Sequence, residues 1–324
     1  MNTQASKVNE QMKTVKYQLR VKGLATPDGT ISVRALLGLL GGLTDCAERS
    51  LRLAVEGTSI KSGRQPSWLE KAVNFTMSGL KSGSTVLNLE APTLAEVIGT
   101  ELQQQDFWAK APAPHDTAIS LIAQSVRDTT AENLESDYYD AGVLKSLLNL
   151  KPFLKTQAQS LEVVSQERPQ EHIVINNAEM EKVERLKIQT PEPQSFIVSG
   201  HLDAIQHSQK RFQLVLPESQ IIPGRVDEEF MAAESLREFW GKDVTVKGIV
   251  HFRPSGRIQL LEAQFIKIKN TGEEIFEVMP RVQTEAEFIG ESLHVKETKN
   301  WLKEVWGKWP GDEPVEDILK ELKH

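Results

Sequence analysis

The sequence predicts an α+β protein built from three parts. Three observations carry that expectation. An alternating strand near residue 15 is followed by a long apolar helical stripe, short strands interrupted by one helix run from Phe196 to Ile268, and the composition turns acidic and Trp-rich after Asn270. The parts are an N-terminal strand-helix-hairpin domain over 1–192, a five-stranded β-barrel over 193–270 and a helical, acidic C-terminal tail over 271–324.

In the first part Val15, Tyr17, Leu19 and Val21 point one way and Lys16, Gln18, Arg20 and Lys22 the other, the pattern of a strand with one wet face. Ser32 is a good N-cap for a long helix carrying Val33, Leu36, Leu37, Leu40, Leu43, Ala47, Leu51 and Ala54 on one stripe, which should lie on the sheet. Gly38, Gly41 and Gly42 inside that helix each cost up to about 1 kcal/mol relative to alanine, so close packing against another backbone is the expected compensation. A phosphate-cradling loop would place such glycines at the helix start with Lys-Ser/Thr after them, and these do neither.

Val73, Phe75 and Met77, then Thr85, Leu87 and Leu89, make a hairpin that ends at Pro92. Helical patterns follow around 118–126 and 143–150, with short strands at Leu161 and Val163 and at Ile173 and Ile175, and a helix with Met180, Val183 and Leu186. Asp128 to Asp140 is polar and acidic, a surface loop, and Pro191-Glu192-Pro193 is the linker, because each proline fixes its own φ and restrains the residue before it.

The second part begins with two hairpin-linked strands, Phe196 to Leu202 and Arg211 to Leu216, and a third short run at 221–226. Asp227 can cap, and Gly241 can end, a helix in which Phe230, Ala233, Leu236 and Trp240 recur at three- and four-residue steps. Strands resume at Val244 to Val250 and Ile258 to Ile268, so the order is three strands, a helix and two strands, that of an OB-like five-stranded barrel. Such barrels often bind oligonucleotides. Here nine basic residues between 196 and 268 meet nine carboxylates, Phe196, Phe212, Phe230 and Phe265 fall at core positions, and Phe252 beside Arg253 and Arg257 is the one aromatic placed for stacking on a base. The balance favours a structural or protein-binding barrel over a reader of single-stranded nucleic acid.

From Gly272 to His324 thirteen carboxylates stand against seven lysines and arginines, and Trp301, Trp306 and Trp309 are half of the six tryptophans. Leu302, Val305, Trp306 and Trp309 form a stripe at helical spacing, and Pro310-Gly311 suits the centre of a type II turn. Asp312 or Glu313 can cap a last helix with Val315, Ile318, Leu319 and Leu322 on one face. That helix is too short to stand alone in water, so it must dock, and a partner's groove entered by Trp anchors is favoured over docking at home.

Composition narrows the classes further. A net charge of −7 argues against sequence-independent nucleic-acid binding by the whole chain, and one cysteine, Cys46, fits a small core residue in a cytoplasmic protein. No run approaches the length of a membrane span. The seven histidines form no metal spacing: His115-Asp116 is isolated, and His201 with Asp203 lacks a third ligand. No nucleophile elbow is present, and Glu228-Glu229 and Glu273-Glu274 fall where solvated charge is ordinary. The expectation is no enzyme, no cofactor and no metal.

Three sets of residues resemble a bacterial family of long, antitoxin-like proteins of toxin-antitoxin systems, associated with PIN-domain endoribonucleases. They are Val21-Lys22-Gly23-Leu24 to Asp28-Gly29-Thr30-Ile31 with Gly83-Ser84-Thr85-Val86-Leu87; Val198-Ser199-Gly200-His201-Leu202-Asp203 with Pro223-Gly224-Arg225; and Trp309-Pro310-Gly311-Asp312-Glu313. The stretch 107–189 carries no such motif. The resemblance implies a neutralising partner of a PIN-domain nuclease toxin, with the folded body as scaffold and the C-terminal segment covering an acidic, metal-binding active site. The partner-binding residues are then Trp301, Lys303, Val305, Trp306, Lys308, Trp309, Pro310, Gly311, Asp312, Ile318, Leu319 and Leu322, with Lys303, Lys308 or Lys320 meeting the toxin's carboxylates. Self-association stays open, and an OB-fold adaptor for single-stranded nucleic acid is the alternative.

Overall fold

The computed structural model describes residues 13–278 apart from 25, 27–29, 61–64, 82–84, 104–111, 207–209, 218 and 228. The chain is mixed α+β, as its sequence predicts, with an open sheet and a closed barrel that each have their own apolar core.

The open sheet has five strands, β1 (Thr14–Lys22), β2 (Thr76–Lys81), β3 (Val86–Pro92), β4 (Ser160–Val164) and β5 (Ile173–Asn176), in the order β2-β3-β1-β4-β5. Every neighbouring pair is antiparallel. Strand β1 buries Val15, Tyr17, Leu19 and Val21 and turns Lys16 and Lys22 to water, so one face of the sheet is covered and the other is wet. The expected three-stranded layer is completed by β4 and β5, whose Leu161, Val163, Ile173 and Ile175 enter the same core.

Among the described residues seven α-helices accompany the sheet: α1 (Val33–Glu56), α2 (Ser67–Ala72), α3 (Leu94–Gln103), α4 (Ala118–Thr130), α5 (Ala141–Leu148), α6 (Lys151–Thr156) and α7 (Asn177–Gln189). Ser32 caps α1 by accepting from the Ala35 amide, and Gly57 ends it in the left-handed region at φ 83°, its N–H returning to Leu53 O at 2.8 Å. The buried arc of α1 runs through Leu39, Leu43, Cys46, Ala47, Ser50, Leu51 and Leu53, and Leu36, Leu40 and Ala54 of the expected stripe pack partly buried against the same core. Ser50 looks polar in the sequence, but its Oγ pairs with Ser125 Oγ of α4 at 3.2 Å, so the helices meet through a satisfied hydroxyl pair. Val33 and Leu37 are left on the outside. Gly42 packs closely against a side chain and not the expected backbone, since an added Cβ would lie 2.8 Å from Leu150 Cδ2, whereas Gly38 and Gly41 meet no described atom within 4 Å.

The barrel comprises β6 (Gln194–Gln206), β7 (Arg211–Val215), β8 (Ile221–Val226), β9 (Asp243–Phe252) and β10 (Ile258–Ile268). It closes in the order β10-β8-β7-β6-β9 with β9 returning to β10, and β8 with β10 is its parallel pair. Counted from its first strand this is 1-2-3-5-4, the Greek-key closure of an OB-like barrel. Gly224 is required inside it, because a Cβ there would meet the Phe212 ring at 2.2 Å.

Three details differ from expectation. Between β8 and β9 the chain forms a 3-10 turn, Ala233–Phe239, and not an α-helix. Its tighter repeat takes the spaced apolar residues off one face, so Leu236 is buried while Phe230 and Trp240 are exposed. Phe252 is buried, because it continues the inward positions Val244, Val246 and Val250, and it meets Phe196 edge to face with ring centroids 6.0 Å apart. Phe265 faces out: a bulge between Ala263 and Phe265 switches the alternation, so Ile266 takes the inward place.

Candidate functional site

The barrel lies against the sheet body, in the same compact unit, through the surface an OB-like barrel ordinarily offers to a ligand: its second and third strands and the loop between its fourth and fifth. Two clusters make the contact. At the first, Arg211 of β7 donates from Nη2 to Val55 O at 3.2 Å, and Arg225 of β8 donates from Nη1 to Glu56 O at 2.7 Å. Both carbonyls belong to the last turn of α1, where helix oxygens have no partner of their own and the helix dipole is negative, so a guanidinium is suited to cover them. The Glu56 carboxylate stands 3.8 Å from both Arg225 Nη1 and Arg52 Nε, and all three side chains are nearly buried. Gly57 is favoured there by its left-handed φ of 83°, and an added Cβ would make ordinary contact with Arg211 and Leu260 at 3.6 Å.

At the second cluster Arg253, at the end of β9, donates from Nη1 to Glu135 O at 2.7 Å and Ser136 O at 2.6 Å, and from Nη2 to Asp137 Oδ1 at 2.5 Å. Arg257 adds an exposed pair to Glu135 at 3.6 Å, and Gln259 donates to Tyr139 O at 3.5 Å. The receiving loop is the acidic stretch between α4 and α5, held open by Asp140, which caps α5 through Gly142 N and Val143 N and binds Ser59 N and Oγ. Main-chain and carboxylate oxygens thus occupy guanidinium donors of the kind that would also suit phosphate.

A third constellation lies inside the sheet body. Tyr17 Oη donates to Glu171 Oε2 at 2.6 Å and lies 2.9 Å from Thr117 Oγ1; Glu171 Oε1 accepts from Ser120 Oγ at 3.0 Å and Arg168 Nη1 at 3.1 Å. Tyr17 is 1% and Glu171 6% exposed, so their atoms face one another inside the core. Burial, with the Glu171 hydrogen bond second, raises the Tyr17 hydroxyl far above its ordinary range and keeps it a donor. Burial also pushes the Cys46 thiol up to about 12, which leaves it protonated within the core.

The residues singled out in the sequence are placed as follows. The twelve partner-binding positions from Trp301 to Leu322 and Lys320 lie outside the described residues. His201 pairs with Asp243 across β6 and β9 at 2.9 Å, on the surface, and His115 stands 3.9 Å from Asp116. Among the described residues no group of three or more His, Cys, Asp or Glu is arranged to hold a metal ion, and no helix is long and apolar enough to cross a membrane. Arg253 and Arg257, read as contacts for a nucleic acid, are turned to the protein's own loop, and Phe252 beside them is in the core. Sequence reasoning missed Arg211 and Arg225 as docking residues. The one available signal is the Gly57 break directly after α1, which says a helix end is there but not what covers it. Comparison with known proteins finds no matching family model, curated protein or solved structure.

Proposed function

We propose that this chain is a non-catalytic partner protein whose sheet body and barrel form one scaffold and whose C-terminal segment makes the functional contact. The observation that carries the reading is the occupation of the barrel's ordinary ligand face: Arg211, Arg225 and Arg253 are spent on the protein's own oxygens. A barrel used this way holds a fold together and does not read a strand of nucleic acid. The buried Tyr17–Glu171–Arg168 network, the densest polar cluster described above, likewise has no free atom turned to a substrate.

The finer reading rests on the motif resemblance. The partner is a PIN-domain ribonuclease toxin of a cytoplasmic bacterial toxin-antitoxin pair, neutralised by Trp301, Trp306 and Trp309 as anchors with Lys303 and Lys308 between them. The acidic remainder of the tail suits the basic, RNA-binding rim around such a site. The test is co-expression with the genomic neighbour, followed by capture and mass spectrometry, of the full chain and of a version ending at Asn300. A small nuclease captured by the full chain alone supports the reading. Capture of nucleic acid alone, or of nothing, by both versions would return the barrel to consideration as an oligonucleotide adaptor.

A further inference from the structure

The first half of α1 presents an outward face that no other described residue covers. Val33 is 73% and Leu37 66% exposed, and Gly38 and Gly41 lie beside them with nothing within 4 Å of where a side chain would be. Helix interiors disfavour glycine, and large exposed apolar side chains next to exposed glycines are a poor surface for an unpartnered helix. Within residues 33–45 the same face carries one charge of each sign, Arg34 before the glycines and Asp45 after them, the latter also ion-paired to Arg49.

Their spacing is self-complementary. At 3.6 residues per turn Arg34, Gly38, Gly41 and Asp45 project within a narrow arc of the helix. The midpoint between Gly38 and Gly41 is also the midpoint between Arg34 and Asp45. A second α1 laid antiparallel across that midpoint sets Gly38 against the other copy's Gly41, and Arg34 against its Asp45 at both ends. The glycines let the backbones approach closely, and the two Leu37 side chains lie on the same side of the crossing. Asp45 already accepts from Arg49 Nε at 3.0 Å and Asn149 Nδ2 at 3.2 Å, which orients its carboxylate and leaves lone pairs for one more guanidinium.

We infer that the chain forms a two-fold symmetric homodimer through the Val33–Asp45 face of α1, with a second copy of this chain as occupant. The interface is isologous, each patch serving as its own partner. One helix pair covers less than the ~800 Å² per partner of a stable complex, so the dimer is weak and concentration-dependent. This inference is independent of what the C-terminal segment binds.

Sedimentation velocity on the full chain from submicromolar to 100 micromolar (concentrations on the order of those that bracket such a weak interface) tests it. The wild type should pass from monomer to dimer. Gly41→Leu adds a side chain where the monomer has open space, so the variant should keep its fold by circular dichroism and weaken dimerisation at least about tenfold. Arg34→Asp should weaken it comparably, and the exchange Arg34→Asp with Asp45→Arg should restore it. A wild type that is monomeric throughout, a Gly41→Leu variant that dimerises as well as wild type, or a double exchange no better than Arg34→Asp alone would each overturn the proposal.

Discussion

Arg225 reaches from the third barrel strand to the main-chain oxygen of Glu56 at 2.7 Å, so one guanidinium both caps the longest helix of the sheet body and fixes the barrel to it. Arg225→Ala should therefore cost about 1.5–3 kcal/mol of stability, the range for a hydrogen bond with one charged partner in a nearly buried place. Chemical denaturation of the full chain measures this, and a change within about 0.5 kcal/mol, as at an ordinary surface site, would contradict the docking role.

Arg253 should act locally. Its three bonds hold the loop from Glu135 to Asp137, so Arg253→Ala should raise amide exchange in residues 133–140 while leaving the barrel core protected. Arg257→Ala, which removes an exposed pair at 3.6 Å, should change neither exchange nor stability measurably.

Tyr17→Phe removes the 2.6 Å donor from a carboxylate that is 6% exposed. Glu171 keeps Ser120 and Arg168, so the expected loss is about 1–3 kcal/mol and not outright unfolding. The midpoint of urea denaturation reads it.

The chain leaving the barrel is tied back by Glu273, which accepts from the Asn270 amide at 2.9 Å, from Lys267 Nζ and from Thr245 Oγ1 at 2.7 Å. The Asn270 N–H first, then Lys267 and Thr245, hold its carboxyl down at about 2, against an ordinary 4.5. A depressed folded value means that the unfolded chain protonates first as pH falls. The tether's contribution is complete above 4.5 and is lost between 4.5 and about 2. The Glu273 carboxyl resonance should titrate near the lower value, and Glu273→Gln should abolish the acid-induced rise in exchange at 267–273; a titration near 4.5 would remove the tether from the account.

Much of this architecture is legible in the residues. Val15 to Val21 announces its strand by strict alternation, Ser32 marks the start of α1, and the succession of strands along the barrel segment follows from turns at Pro254 to Gly256 and the break at Gly241. What misled was always a local register or a contact from far along the chain. A bulge that no propensity encodes sent Phe265 outward, and the same alternation read correctly would have put Phe252 inside. Helical spacing from Phe230 to Trp240 became a 3-10 turn, which sends Leu236 into the core and lays Phe239, not Trp240, against it. The docking arginines are illegible for a plain reason: their acceptors are backbone oxygens more than 100 residues away, and a backbone oxygen has no sequence signature.

Partner binding through the C-terminal segment is a proposal, and inhibition of the proposed nuclease partner tests it most directly. Cleavage of a fluorescent RNA would be followed while full chain, Trp306→Ala, Trp309→Ala and the chain ending at Asn300 are titrated in. The account predicts stoichiometric inhibition by the full chain, a loss on the order of 2 kcal/mol or more in apparent affinity for each tryptophan variant, and none by the truncated chain. Equal inhibition by the truncated chain, or cleavage unaffected by the full one, would contradict it.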